Sequence, residues 1–275
     1  MLGRISLILC FCLAGCNLQW ALREDNDAFT KNNSDQYYTQ GLELAVRQTE
    51  EYEYYAGQKI YTPDDKFSKE LEPLDRPYAG YLYGGARHTL GTGPSTDDTY
   101  SIELGVVGPS AGGEFAQNNV HDLLGNRRAE GWRNQLKDEP VVNAGYSQSI
   151  HGTTGDGFPL PLQTAVYWGW DVGNFLTASK IGGRLERTYD AEPFNIRTYS
   201  ALEGQLKLRD ITLDGNTWKN SHSVEKDRLV AAWVSGVQVE YDTWYIQYLY
   251  RYLTREFKEQ KDQYNYGSIN IGKNF

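Results

Sequence analysis

Hydrophobic alternation of period two restricts this chain more than any other feature. Over residues 229–241 one face carries Leu229, Ala231, Trp233, Val237, Val239 and Tyr241, and the other Gly236, Gln238 and Glu240. Residues 244–257 set Trp244, Ile246, Tyr248, Tyr250 and Tyr252 against Gln247, Arg251 and Arg255. Residues 162–174 set Leu162, Val166, Trp168, Trp170 and Val172 against Gln163, Gly169 and Asp171, and Tyr100, Ile102, Leu104 and Val106 alternate with Ser101, Glu103 and Gly105. Successive strand side chains point to opposite faces, so each stretch is a strand with one apolar side. The second face decides the architecture. It mixes glycine with amide and charged groups, as the lumen of a barrel does and the core of a sandwich does not.

Composition points the same way. The chain holds 21 Tyr, 7 Trp and 28 Gly, yet its mean hydropathy is −0.62. Residues 1–15 read as a signal peptide, with Arg4 as the positive region and 5–14 as an apolar core too short to span a bilayer. Leu13-Ala14-Gly15-Cys16 has the form of a lipobox ending at Cys16, which predicts lipidation there; ordinary cleavage near Ala14 or Gly15 is the simpler alternative. All three cysteines, Cys10, Cys12 and Cys16, fall in this segment, so the mature chain has no disulfide despite its oxidising destination. Loss of Arg4 takes the formal charge from −9 to −10. No basic stripe for nucleic acid is present.

The pattern predicts an all-β fold, an antiparallel outer-membrane β-barrel of about twelve strands, over residues 18–25, 39–48, 52–62, 78–90, 97–108, 139–151, 161–173, 175–189, 195–212, 227–241, 243–257 and 264–275. It forms one domain, residues 16–275, a monomer inserted by the barrel-assembly machinery and ending on Phe275. With a periplasmic N-terminus, the connections at 26–38, 63–77, 109–138 and 213–226 lie outside the cell. They are long where the others are short, the expected asymmetry.

The segment 105–140 is too long and too patterned for a plain connection. Gly108-Pro109 breaks the strand, and 114–124 suits a short helix between strands 5 and 6. On that helix Gln117 and His121 stand at i and i+4 and share a face. Two further clusters belong to neighbouring outer hairpins and gather on the same rim. One is Asn26-Asp27 with Tyr38-Thr39-Gln40-Gly41; the other is Asp64-Asp65-Lys66 with Asp75-Arg76-Pro77. Their oxygen-rich side chains suit a hard cation such as Ca²⁺. Simpler roles stand beside these. Asn26 and Asp27 suit a turn, Asp75 and Arg76 an ion pair at a strand start, and His121 a polar residue plugging the lumen. His88, His151 and His222 lack comparable neighbours and read as structural.

Taken jointly, Asn26-Asp27-x-Phe29, Tyr38-Thr39-x-Gly41, Asp75-Arg76-Pro77-Tyr78-Ala79-Gly80 and Gly105-Val106-Val107-Gly108-Pro109 with Gln117, His121, Gly131-Trp132 and Gln135 resemble the lipid A 3′-O-deacylase (LpxR) family. The resemblance is strong over residues 20–146 and rests on barrel pattern beyond. It implies a Ca²⁺-dependent outer-membrane ester hydrolase acting on lipid A of lipopolysaccharide, with its site at the extracellular rim. By position it implies His121 as the catalytic histidine, Gln117 and Asn26 as its polar companions, and Lys66 as a substrate-binding group. It also implies Asp27 and Thr39 at the metal. An acidic residue of the family falls on Arg127 here, which leaves Glu130 as the nearby substitute ligand. A phospholipase or acyltransferase on the same rim, or a non-enzymatic Ca²⁺-binding barrel, are the other readings the residues allow.

Overall fold

The computed structural model describes residues 18–30, 37–154 and 162–274. The signal peptide, Cys16 and Phe275 lie outside the described residues. Twelve strands close into one antiparallel barrel. They are β1 (Gln19–Asn26), β2 (Tyr37–Arg47), β3 (Tyr52–Thr62), β4 (Ala79–Gly93), β5 (Thr96–Val107), β6 (Glu139–Thr153), β7 (Gln163–Gly173), β8 (Leu176–Ala191), β9 (Phe194–Asp210), β10 (Leu229–Tyr241), β11 (Trp244–Leu253) and β12 (Tyr264–Lys273). Each pairs with the next, and β1 closes on β12 from Trp20–Lys273 to Asn26–Gly267. Closure removes both sheet edges and satisfies the backbone without water, which lets strands cross a bilayer. No described helix is long and apolar enough to cross a membrane.

The expected strands are present with shifted ends. β2 starts at Tyr37 rather than residue 39, and β11 stops at Leu253 rather than 257. β9 ends at Asp210, whose carboxylate caps a helical turn, α2 (Ile211–Asp214), by accepting from Thr212 N at 3.1 Å. A capping aspartate at a strand end overrides the alternation that continues through it.

The face assignments hold. Leu104, Val172, Trp233 and Ile246 are exposed on the outer wall, whereas Ala165, Val234 and Tyr83 are buried inward. The lumen is packed with charge in pairs: Arg23 with Asp25 (3.4 Å) and Glu43 (3.7 Å), and Arg197 with Glu186 (3.2 Å) and Glu240 (3.2 Å). Tyr81 and Tyr83 donate to Glu103 (2.6 Å) and Glu43 (2.9 Å). Near the end away from the chain termini, Arg76 binds Glu256 (3.2 Å), and Lys207 binds Glu256 (2.6 Å) and Asp210 (2.9 Å), all four buried. The expected Asp75–Arg76 ion pair is therefore corrected. The Asp75 carboxylate accepts from the backbone N–H of Asp64 (2.8 Å) and of Arg76 (2.7 Å), and the guanidinium turns to Glu256. Burial makes a carboxylate 180 residues away in sequence the better partner.

The connection after β5 forms the helix α1 (Gly113–Leu124). Gly125 closes it in the left-handed region (φ 71°), and Asn126 N donates to His121 O at 2.8 Å. Strand parity shows where α1 lies. Leu22, Leu42 and Leu82 are exposed on the outer wall. Counting by two, Asn26, Gln40 and Gly80 point outward as well, and Ile60 joins them through the rungs Asn26–Gln40, Gln40–Ile60 and Ile60–Gly80. α1 rests on this outer side. A Cβ at Gly80 would stand 3.0 Å from Gly113 N, so only two glycines allow the approach. Ile60 packs with Tyr78, Ala129 and Trp132, and Ala116 of α1 adds to that cluster. The helix α1 thus lies over the outside of the wall, whereas Leu136, later in the same segment, packs inward with Tyr81, Val107 and Ile211.

Candidate active site

The site lies between α1 and the outer wall at the end opposite the termini. Asn26 ends β1 and caps a 3-10 turn, Asp27–Phe29, by accepting from Ala28 N at 2.8 Å. The turn role expected of Asn26 is therefore present. Asp27 follows the last β1–β2 rung and is fully buried. One step past that rung stands Thr39, at a register shift between Tyr38 and Gln40. The shift lets Tyr38 reach inward to Asp25 (2.8 Å) while Thr39 shares a hydroxyl contact with Thr62 (2.7 Å). Thr62 lies two residues beyond outward-facing Ile60 and is fully buried.

Lys66 is held by its backbone. Its carbonyl accepts from Tyr78 OH (2.8 Å) and from Glu130 N (2.9 Å). Burial depresses its ammonium to a pKa of about 8, against the opposing pull of Asp27. His121 is buried, with Nδ1 2.7 Å from the carbonyl of Arg127. A carbonyl only accepts, so Nδ1 carries the proton in the neutral ring and Nε2 is the basic nitrogen. Burial lowers the His121 pKa and the Lys66 charge lowers it further, against the Arg127 carbonyl and Asp122. Both effects favour the neutral imidazole.

One helical turn earlier, Gln117 is buried and its Oε1 accepts from Trp132 Nε1 at 2.8 Å. Its buried Nε2 has no hydrogen-bond partner among the described residues. Asp27, Lys66 and His121 interact in series, Lys66 feeling the charge of the first and acting on the third. Three of the expected residues, from three outer connections, are therefore neighbours.

Glu130, the expected substitute ligand, sits in an ion-pair network. Its carboxylate binds Lys69 (3.2 Å) and Arg127 (2.9 Å), which hold it below the usual glutamate range. Arg127 also lies over the Phe67 ring at 4.6 Å. No group of three His, Cys, Asp or Glu side chains converges as a metal site among the described residues. A cation here would rest on the Asp27 carboxylate, the Thr39 and Thr62 hydroxyls, carbonyls and water. That donor set fits a hard ion by its chemistry, and the low ligand charge predicts weak, exchangeable binding. Tyr78 and Trp132 entered the sequence analysis only as members of motifs, and Thr62 only as the end of a strand, with no role assigned. The Arg127 carbonyl carries no side-chain signal at all.

A closed twelve-stranded barrel with an apolar outer wall defines an outer-membrane protein. The comparisons agree. Residues 5–275 match the sequence model of the family described as Outer membrane protein LpxR, and the chain belongs to that family. LpxR from Salmonella typhimurium superposes with a TM-score of 0.82 at 18% identity, over 94% of this chain and 100% of that chain. The β domain of the Bordetella autotransporter Brka reaches 0.48 at 11% identity, over 94% and 99% of the two chains. A KdgM porin reaches 0.45 at 8%, again over 94% and 99%. A search of curated protein sequences gives no match.

Proposed function

We propose that this protein is a lipid A 3′-O-deacylase, an ester hydrolase that works at the extracellular rim of the outer membrane. The observation that carries the reading is the buried His121, with Nδ1 held by a carbonyl, on the outer face of the wall beside Asp27 and Lys66. Lipid reaches an outer wall directly, whereas the lumen at this end is crossed by the buried Arg76–Glu256–Lys207–Asp210 network. That network argues against a pore. His121 Nε2 takes a proton from water as the water oxygen bonds to the ester carbonyl carbon. The tetrahedral intermediate then expels the sugar oxygen, which takes the proton back from the imidazolium. The Lys66 ammonium stabilises negative charge on the substrate, either the developing oxyanion or a phosphate. Gln117 and Asn26 orient polar groups at the edges, and Trp132 fixes Gln117. Ca²⁺ held by Asp27 and Thr39, when bound, supplies Lewis-acid polarisation of the ester.

Mass spectrometry of lipid A after exposure to the purified protein tests the reading. Loss of the 3′-linked acyloxyacyl chain is expected. An intact lipid A, with fatty acid released from phospholipid instead, would replace this reading with a phospholipase. Excess chelator is expected to abolish turnover, with Ca²⁺ restoring it better than Zn²⁺ because the donors are oxygens. Undiminished turnover in chelator would remove the cation from the mechanism.

The pH profile of kcat/KM should be bell-shaped. His121 is the active base when neutral, and its pKa is lowered. The acid limb therefore has its midpoint below 6.5, the ordinary histidine value. Lys66 is charged below about 8, so activity falls as pH rises through that value. Lys66→Met should flatten the alkaline limb and, by removing the charge that lowers the His121 pKa, move the acid midpoint upward; an unchanged alkaline limb would assign it to another group.

A further inference from the structure

We propose that Glu24 forms a subsite on the outer wall that accepts a hydrogen bond from the acyl-bearing part of the lipid, from a chain hydroxyl or an amide N–H. The inference deepens the hydrolase reading and rests on it. The neighbours of Glu24 in sequence fix the direction of its side chain. Arg23 and Asp25 meet inside the barrel at 3.4 Å, and Tyr38 donates to Asp25 at 2.8 Å. β1 pairs with β2 and β12 without a register shift, so Glu24 points outward. There it stands among apolar groups. Leu22 on the same face is 37% exposed, Leu42 opposite on β2 is 44% exposed, and Ile269 faces Glu24 on β12. The charged residues beside it, Arg23, Asp25 and Glu43, turn inward and pair with one another. Glu24 makes no side-chain hydrogen bond or ion pair among the described residues. An ionisable group facing lipid costs free energy, and such groups mark functional sites.

The surroundings identify the ligand. Two ridges rise from the wall on either side of Glu24. On β12 the 3-10 turn presses Phe29 against Gly267, where an added Cβ would stand 2.7 Å from the Phe29 Cβ, and Tyr248 donates to Phe29 O at 2.9 Å. On β4, α1 rests against Gly80. β12 and β4 are four strand spacings apart, roughly 19 Å, and β1, β2 and β3 floor the trough between them. Near the outer end of that floor Asn26, Gln40 and Ile60 lie on successive rungs, one step before Asp27 and Thr39. Glu24 lies two residues, roughly 7 Å, further down the wall. A lipid whose ester reaches Asp27 and His121 therefore lays the start of its acyl chains beside Glu24. Phosphates lie higher, and a carboxylate repels them. The groups it can hold at this depth are donors. Hydroxyl and amide N–H are the donors that acyl chains and their linkages carry, and hydrogen bonds to an ionised acceptor are short and strong.

Retention of lipid A by immobilised His121→Ala protein in detergent, quantified by mass spectrometry, tests this without turnover. Three synthetic probes are compared. The first is lipid A with free hydroxyls on its acyl chains, the second has those hydroxyls replaced by hydrogen, and the third has its amide-linked chains joined by ester. The first should be retained about tenfold more than the analogue lacking the donor that Glu24 holds, the low end for a hydrogen bond to a charged group. Which analogue loses retention tells hydroxyl from amide. Adding Glu24→Leu should bring all three to equal retention, and Glu24→Gln, which keeps an acceptor oxygen, should restore part of the preference. Equal retention of the three by the protein with Glu24 would overturn the subsite alone, and so would a preference that persists in Glu24→Leu. No retention of any probe would overturn the hydrolase reading and the subsite with it. Heat-modifiable migration should be the same for every variant, because leucine suits a lipid-facing position.

Discussion

His121→Ala is expected to yield a folded, heat-modifiable barrel whose deacylation is reduced by about 10²–10⁴-fold, the usual effect of removing a general base. Folding should survive because closure depends on strand pairing, and α1 is fixed by Gly113, Ala116 and Trp132 rather than by the imidazole. His121→Asn separates the base from a mere spacer. Its amide occupies part of the ring's volume and can donate to the Arg127 carbonyl, as Nδ1 does at 2.7 Å. It cannot take a proton from water, so the asparagine variant should be nearly as inactive. Near wild-type acyl release by folded His121→Ala would overturn the mechanism and direct attention to Asp27.

The second large effect comes from a residue with no functional group. Gly113→Val should lower kcat/KM by about 10²-fold, the scale associated with a misplacement of about 1 Å, while leaving the barrel intact. A Cβ at Gly113 would meet the Trp132 ring at 2.8 Å and Gly80 Cα at 3.0 Å, so the helix must lift or the indole must move. Either movement disturbs the 2.8 Å bond that Trp132 makes to Gln117. Single-turnover kinetics would show the loss in the chemical step, and strand content by circular dichroism should stay unchanged. Full activity in Gly113→Val would mean that α1 is not held against the wall in the working enzyme.

Particular residues show how far the sequence could be read. Trp168 and Trp170 against Gly169 and Asp171 told inside from outside correctly, because a strand has only two faces and one of them meets lipid. Gln117 and His121 were legible as a pair because helical spacing is a local property. Asp75 with Arg76 was misassigned, because adjacency in sequence says nothing about a buried partner such as Glu256. The pairing of Glu130 with Lys69, 61 residues earlier, was not legible, because nothing in its sequence neighbourhood reveals that Lys69 folds back onto it.

Amino-acid order alone determined the barrel, its strand faces, the helix after β5 and the identity of the residues that gather at the outer connections. Each of these rests on periods of two or 3.6 residues or on short motifs, all of them local. Tertiary structure decided which side of the wall the helix occupies. That choice depends on Gly80 admitting Gly113, on Ile60 packing against Trp132, and on the rungs that turn Ile60 and Gly80 outward together. These contacts join residues tens of positions apart, and their energy exists only once the strands are in register. The same register places Asp27 beside Thr39 and fits His121 against the outer wall, where a lumen plug had been the simpler alternative.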